Sequence, residues 1–255
     1  MAHLLGLQQA SVTYPGGRTA LTPTDIQFAE GQITVLLGPS GAGKSSILRL
    51  LNGLVPPSQG AVVRKGIGSL EQPLAMRAHR LSTAMIFQQH HLIGRLTVLD
   101  NVLLGRLGAW SWLQTILPPS RRDRLLSIAA LDRVGLAARA LDRADGLSGG
   151  EQQRVGIARA MAQRPSIILA DEPIASLDPA SAERMLGDLR RICCDDGLTA
   201  IVSLHQVEFA RRFADRIVGV RHGGIVFDGP PAALDDHAVD QIYGVERPAG
   251  ALAAE

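Results

Sequence analysis

The sequence has 255 residues, enough for one large domain or one domain carrying an inserted lobe, and its 46% hydrophobic content supplies a core. A formal net charge of +2 with scattered arginines lacks the concentrated basic face of a nucleic-acid binder. No apolar stretch approaches the roughly 20 residues that cross a bilayer, and the N-terminus lacks a charged start followed by a long apolar segment, so a soluble protein retained inside the cell is expected.

From the N-terminus, residues 4–12, the turn Pro15-Gly16-Gly17, and residues 25–29 closed by Glu30-Gly31 alternate β-like runs with turn signals and predict a small antiparallel sheet. Within it Tyr14 either stacks on a purine or packs half-buried, and its local sequence favours packing. The apolar run Ile33-Thr34-Val35-Leu36-Leu37 then leads into Gly38-Pro39-Ser40-Gly41-Ala42-Gly43-Lys44-Ser45, followed by a helical run from Ser46. Strand, glycine-rich loop and helix in this order form a phosphate-binding loop. The glycines let backbone N–H groups approach phosphate oxygens, and the helix points its positive end at the same place. Lys44 adds a mobile charge for the β- and γ-phosphates, and Ser45 a hydroxyl for Mg²⁺. Only Lys44 and Lys65 among 26 basic residues are lysines, so lysine at 44 reads as chosen for its chemistry.

Gly53 ends that helix and Pro56-Pro57 forbids its resumption. Residues 61–63 and 84–87 read as strands, the second running into Gln88-Gln89-His90-His91. Gln88 there supplies an oxygen to Mg²⁺ or orients water, while His90 and His91 read as exposed contacts. Residues 97–134 read as an inserted helical lobe, with Thr97…Asp100 and Ser120…Asp123 as capping boxes and Gly135 as a stop. Its segment 108–119 holds both tryptophans, Trp110 and Trp112, and is either a docking surface or the packing of a long loop; so short a segment favours docking.

Leu147-Ser148-Gly149-Gly150-Glu151-Gln152-Gln153-Arg154 opens a further helix, with Ser148 as N-cap and the glycines baring backbone donors for a second anion site. Ile167-Ile168-Leu169-Ala170 is a buried strand delivering Asp171 and Glu172. Asp171 beside Ser45 completes a Mg²⁺ site, and Glu172, facing the other way along the pleat, polarises the attacking water. Asp178-Pro179 caps a helix reaching Cys194; neighbouring Cys193 and Cys194 are read as reduced structural thiols, since a bridge between them is strained. Residues 199–204 form another buried strand, ending at His205, which hydrogen-bonds the γ-phosphate or the water. His3, His79, His222 and His237 receive no role. Residues 217–220 and 225–227 read as a hairpin, and the tail from Arg247 as loose.

In combination these motifs resemble the nucleotide-binding subunit of an ABC transporter. The phosphate loop, Gln88, the LSGGEQQR run, Asp171-Glu172, Ala175-Ser176-Leu177-Asp178 and His205 match that family's Walker A, Q-loop, signature, Walker B, D-loop and H-switch in order. The resemblance implies an α/β P-loop NTPase (RecA-like) parallel-sheet core with an N-terminal antiparallel β subdomain and an inserted α-helical subdomain. It implies one ABC ATP-binding domain over residues 1–245: 1–90 as β subdomain and first part of the core, 91–163 as helical subdomain with the signature, and 164–245 as the second part of the core, with 246–255 a loose tail. It also turns Tyr14 into the adenine-stacking aromatic. Residues Gly38 to Ser46 would hold the phosphates of ATP, and Ser45, Gln88 and Asp171 would hold Mg²⁺. Ser148, Gly149, Gly150, Gln152 and Asp178 would close a site from a second copy, making a head-to-tail homodimer. Glu172, His205 and Gln88 carry the hydrolytic chemistry in this reading.

More narrowly, residues 101–108, the Trp segment, Arg143-Ala144-Asp145, His205-Gln206-Val207-Glu208 and residues 214–219 resemble the ATPases of bacterial phosphonate importers. That resemblance implies work at the cytoplasmic face of the inner membrane with two permease subunits and a periplasmic binding protein, and no nucleic-acid partner. The alternatives are an importer ATPase for another small solute, or a soluble ABC ATPase uncoupled from transport. The latter usually carries two cassettes, a coiled-coil insertion or zinc-binding cysteines, all absent here. A small-molecule P-loop kinase leaves LSGGEQQR unexplained.

Overall fold

The computed structural model describes residues 3–89, 91–175 and 177–244. The elements run β1 (His3–Thr13), β2 (Thr19–Ala29), β3 (Ile33–Leu37), α1 (Lys44–Leu51), β4 (Gln59–Arg64), β5 (Gly68–Ser69), α2 (Pro73–Leu81) and β6 (Thr83–Ile86). A helical section follows: α3 (Val98–Leu103), α4 (Trp112–Ile116), α5 (Arg121–Arg133) and α6 (Gly149–Ala162). The chain closes with β7 (Ile167–Asp171), α7 (Pro179–Asp196), β8 (Thr199–Leu204), α8 (Val207–Phe213), β9 (Arg216–Arg221), β10 (Gly224–Gly229) and α9 (Asp236–Tyr243).

Two sheets result. Strands β2-β1-β4-β5 pair antiparallel, and β10-β9-β3-β8-β7-β6 form the larger sheet, parallel except for the β10 edge. All residues of β3, β7 and β8 are buried, which is why these strands read as unbroken apolar runs: both faces of a parallel sheet are covered. The two-residue pleat sends Ile33, Val35 and Leu37 into a core shared with the helical section and α7. Leu36 points into the opposite core with α1 and the antiparallel sheet. The C-terminal ends of β3, β8, β7 and β6 therefore stand side by side, and they lead into the phosphate loop, His205, Asp171-Glu172 and Gln88 respectively.

In the helical section Val98, Val102, Leu131 and Val155 are fully buried where α3, α5 and α6 meet. The expected capping hydroxyls are in place: Thr97 accepts from the Asp100 N–H and Ser120 from the Asp123 N–H. The stretch between these two capped helices is not wholly loop. A 3-10 turn (Leu104–Ala109) follows α3, and Ser111 caps the five-residue α4 through a reciprocal bond with Gln114 that the sequence reading did not anticipate. Gly105 lets this turn pass close to α6, because a Cβ there would meet the Arg159 carbonyl oxygen at 2.2 Å. The two indoles part company. Trp110 donates from Nε1 to Asp123 Oδ2 at 3.1 Å, beside the Arg106–Asp123 ion pair, whereas Trp112 is 72% exposed together with Leu113, Ile116 and Leu117.

Arg64, at the end of β4, is 8% exposed and ties the small sheet to the start of β6 and β7. Its Nη1 reaches Ser82 Oγ at 2.8 Å, the His79 carbonyl and Thr83 Oγ1, and its Nη2 reaches Ser166 Oγ at 2.7 Å. No ion pair to it is present among the described residues. His79, fully buried, presents Nδ1 to the same guanidinium at 3.1 Å and Nε2 to the Leu51 carbonyl at 2.8 Å; burial pushes its imidazole down to about 4. It is a satisfied core histidine. Cys193 is buried, which pushes its thiol up to about 12, and Cys194 is exposed; both are free. The expected loose tail, 246–255, lies outside the described residues, as do His90 and Ser176.

Candidate nucleotide-binding site

The phosphate loop is shaped by close approach. A Cβ on Gly38 would sit 2.2 Å from the Val220 carbonyl oxygen, and one on Gly43, which caps α1 at φ 115, would sit 2.5 Å from the Ala20 carbonyl oxygen. Lys44, 3% exposed, folds back over the loop: Nζ donates to Gly38 O at 2.7 Å and Pro39 O at 2.9 Å and lies 3.2 Å from His205 Nδ1. Burial lowers the lysine's pKa, and the nearby carboxylates of Glu172 and Asp171 oppose that shift.

The carboxylates arrive from β7. Ser45 Oγ donates to Asp171 Oδ1 at 2.8 Å, and Ser203 Oγ donates to the same oxygen at 2.9 Å from β8, where Asp171 and Ser203 are paired in register. Ser203 Oγ also accepts the Glu172 N–H at 2.8 Å. The strand stops at Asp171, and Glu172 takes φ 46, so a left-handed turn and not the pleat alternation aims its side chain. That carboxylate meets His205 Nε2. His205 Nδ1 lies between the Lys44 ammonium at 3.2 Å and the Gly38 carbonyl at 3.1 Å, while Nε2 faces Glu172. Tyr14 bonds Ser46 Oγ through its hydroxyl at 3.2 Å.

Tyr14, residues 40–46, Gln88 and Glu172 line one cavity of about 340 Å³, joined by Arg18 and Arg49. Sequence reasoning assigned neither arginine a role; Arg18 follows Gly16-Gly17 in the β1–β2 turn, and nothing in that turn's pattern marks it. Ser203 was also missed. Its signal was present as a lone hydroxyl in the otherwise apolar, fully buried interior of β8. The donor set fits a magnesium nucleotide: a hydroxyl and a carboxylate in contact at Ser45 and Asp171, an amide at Gln88 on the same cavity, and a loop where the Gly41 position is open except for Arg18 at 3.7 Å.

The second expected anion site lies elsewhere on the chain. Ser148 caps α6 in a capping box with Glu151, donating its hydroxyl to Glu151 Oε2 at 2.7 Å and its N–H to the same oxygen at 2.9 Å, while Arg139 holds Oε1 at 2.6 Å. These bonds hold the Glu151 carboxyl down at about 2. Ser148, Gly149, Gly150 and Asp178 line a cavity of about 420 Å³ that shares no lining residue with the first. At the start of α7, hydrogen bonds from the Ser181 side chain and from its N–H, at 3.0 Å, keep the Asp178 carboxyl below its ordinary range. Gln152 is not on that cavity. Its amide donates to the Leu147 carbonyl at 3.2 Å and lines a third cavity, about 580 Å³, with Gln88, His91 and Gly94. Gln88 thus borders both the phosphate-loop cavity and this one.

A parallel sheet with this rim of motifs defines an ABC-type ATPase cassette, and the chain belongs to the ABC transporter family, whose family model matches residues 21–175. Among curated proteins it is 57% identical to the phosphite import ATP-binding protein PxtA of Stutzerimonas stutzeri, over 94% of this chain and 87% of that one. It is 51% identical to a phosphonates import ATP-binding protein of a Nostoc species, over 94% and 92% of the two chains. A solved dimeric ATP-binding cassette in a post-hydrolysis state, bound to ADP and Pi, superposes with a TM-score of 0.78 at 31% identity, covering 89% of this chain and 99% of that one. No helix among the described residues is long and apolar enough to cross a membrane.

Proposed function

We propose that this chain is the ATP-hydrolysing subunit of a bacterial importer of phosphonates or phosphite, acting as a head-to-tail homodimer on the cytoplasmic face of the inner membrane. One observation carries the dimer: the phosphate-loop cavity and the Ser148–Gly150 cavity lie in one chain yet share no residue. Two copies related by a two-fold axis bring each cavity against the other's complement, closing two equal sites. The similar dimeric cassette supports this reading.

In each site Lys44 exchanges its loop carbonyl acceptors for β- and γ-phosphate oxygens, Tyr14 stacks on adenine, and Ser148, Gly149, Gly150 and Asp178 of the second copy approach the γ-phosphate. Gln152 of the second copy, whose amide nitrogen bonds the Leu147 carbonyl, approaches with them. Glu172 accepts a proton as water attacks the γ-phosphorus; the bond from that phosphorus to the β–γ bridging oxygen breaks, and its electrons leave with ADP. His205 holds the Glu172 carboxylate on one side and the Lys44 ammonium on the other. Ser45 and Asp171, with Gln88 alongside, would hold Mg²⁺, which would supply charge neutralisation on the phosphate oxygens.

In each copy the cavity bordered by Gln88, His91 and Gly94 receives one of two permease subunits, with the exposed face at Trp112 as a further contact, and a periplasmic binding protein delivers the solute to them. The likeness to phosphite and phosphonate import proteins supports the cargo; no residue of an ATPase subunit selects it physically.

Mixing tests the composite site. Lys44→Ala disables the phosphate loop and Gly150→Asp disables the signature, so each variant alone is inactive. In an equal mixture half the dimers are mixed and each carries one intact site, giving roughly a quarter of wild-type ATPase activity. Activity no greater than that of the separate variants would refute the shared site.

A further inference from the structure

The last helix among the described residues touches the reaction site from behind. α9 starts at a side-chain cap from Asp235 to the Ala238 N–H and packs the fully buried Ile242 under β9, so closely that a Cβ on Gly219 would come within 2.5 Å of Ile242. Gly244 then ends the helix at φ 76. This fixes the position of Tyr243, the last helical residue, whose half-buried hydroxyl donates to the backbone carbonyl of His205. Burial pushes the Tyr243 phenol up to about 12, so it remains a donor throughout the neutral range.

His205 is the first residue beyond β8, in the bend before α8, where no sheet ladder holds its main chain. Its ring is nonetheless committed at both nitrogens, to Glu172 through Nε2 and to the Lys44 and Gly38 region through Nδ1, at 3.2 and 3.1 Å. A small rotation of the His205 backbone would move both nitrogens off their partners together. We propose that Tyr243 is a positioning residue for hydrolysis, its hydroxyl clamping the His205 carbonyl so that the imidazole stays between Glu172 and Lys44. This rests on the proposed roles of Glu172 and His205 in ATP cleavage. It makes the C-terminal helix part of the catalytic apparatus and not only a cover for the sheet edge.

Tyr243→Phe removes the hydroxyl and keeps the ring. The full-length variant should lose about tenfold in kcat for ATP, with KM within about twofold of wild type, because misplacement of a catalytic group lowers the chemical step. In a His205→Ala background the same substitution should change kcat by less than about twofold, since the clamp has nothing left to position. Hydrogen exchange, which needs no turnover, should accelerate over residues 205–209 in Tyr243→Phe while β3 and α1 keep their protection. An unchanged kcat, an equal loss in the His205→Ala background, or unaltered exchange would each overturn the clamp. A wild-type protein that binds ATP and never cleaves it would instead overturn the proposed function, and the exchange measurement would still decide whether Tyr243 orders the His205 segment.

Discussion

Ser203→Ala probes the join between the two carboxylates more sharply than removal of either one. The hydroxyl is fully buried, donates to Asp171 at 2.9 Å and accepts from the Glu172 N–H at 2.8 Å. Its loss removes a charge-assisted bond, worth about 1.5–3 kcal/mol, and leaves a backbone donor unpaired at about 1–3 kcal/mol. Asp171 keeps the Ser45 hydroxyl, and Glu172 lines an open cavity through which water can reach the orphaned N–H, so the net cost is about 2–4 kcal/mol. For a chain of this size 3 kcal/mol lowers the melting temperature by about 6–12 °C. The left-handed turn at Glu172 loses the bond that fixes it, so ATP hydrolysis should fall further than nucleotide affinity. Urea unfolding followed by circular dichroism, alongside steady-state ATPase assays, measures both. A variant within about 0.5 kcal/mol of wild type with normal turnover would refute the account of how Asp171 and Glu172 are held.

Glu172→Gln should bind ATP normally while hydrolysis slows by about 10²–10⁴-fold, and size-exclusion chromatography with ATP should then reveal an accumulated dimer; normal turnover would remove Glu172 from the role of base. His79 gives a pH prediction. Its folded-state pKa of about 4 lies below the ordinary 6.5, so the unfolded chain binds more protons in that window and stability falls as pH drops through it, by up to about 3 kcal/mol. Unfolding curves between pH 7 and 5 should lose this slope in His79→Gln, and an identical slope would refute the assignment. Trp112→Ser should leave stability within about 0.5 kcal/mol and impair transport or complex assembly, whereas Trp110→Phe should cost about 1–2 kcal/mol by taking a donor from the buried Asp123 carboxylate. Unimpaired transport by Trp112→Ser would reduce that face to loop packing.

Most of the rim was legible because each of its strands is a short apolar run that ends abruptly in glycine or a charged or titratable residue: Leu37 before Gly38, Ala170 before Asp171, Leu204 before His205. The parallel pairing that brings these ends together follows from the same pattern. What escaped depends on long-range geometry. Tyr243 lies 38 residues from His205 and its helix gives no local sign of the carbonyl it meets. Glu172 was placed by strand alternation, yet a bond from Ser203 on the neighbouring strand supports a left-handed backbone that alternation cannot anticipate. The segment 108–119 reads as a loop between two capped helices, but Ser111 and Gln114 cap a short helix within it. Gln152 joins Ser148 through the family resemblance, and helical rotation sets its side chain on the cavity that Gln88 also borders.

A guanidinium cannot give up its charge, so the neutral oxygens that surround Arg64 are obligatory partners. The small sheet is therefore pegged to the entry edge of the large one by a charge that persists at every pH, with the neutral His79 imidazole among its partners. Aromatic and phosphate-facing ends of a bound nucleotide would consequently be gauged against a single stiff block, with the distance from Tyr14 to Lys44 set by the fold before any ligand arrives.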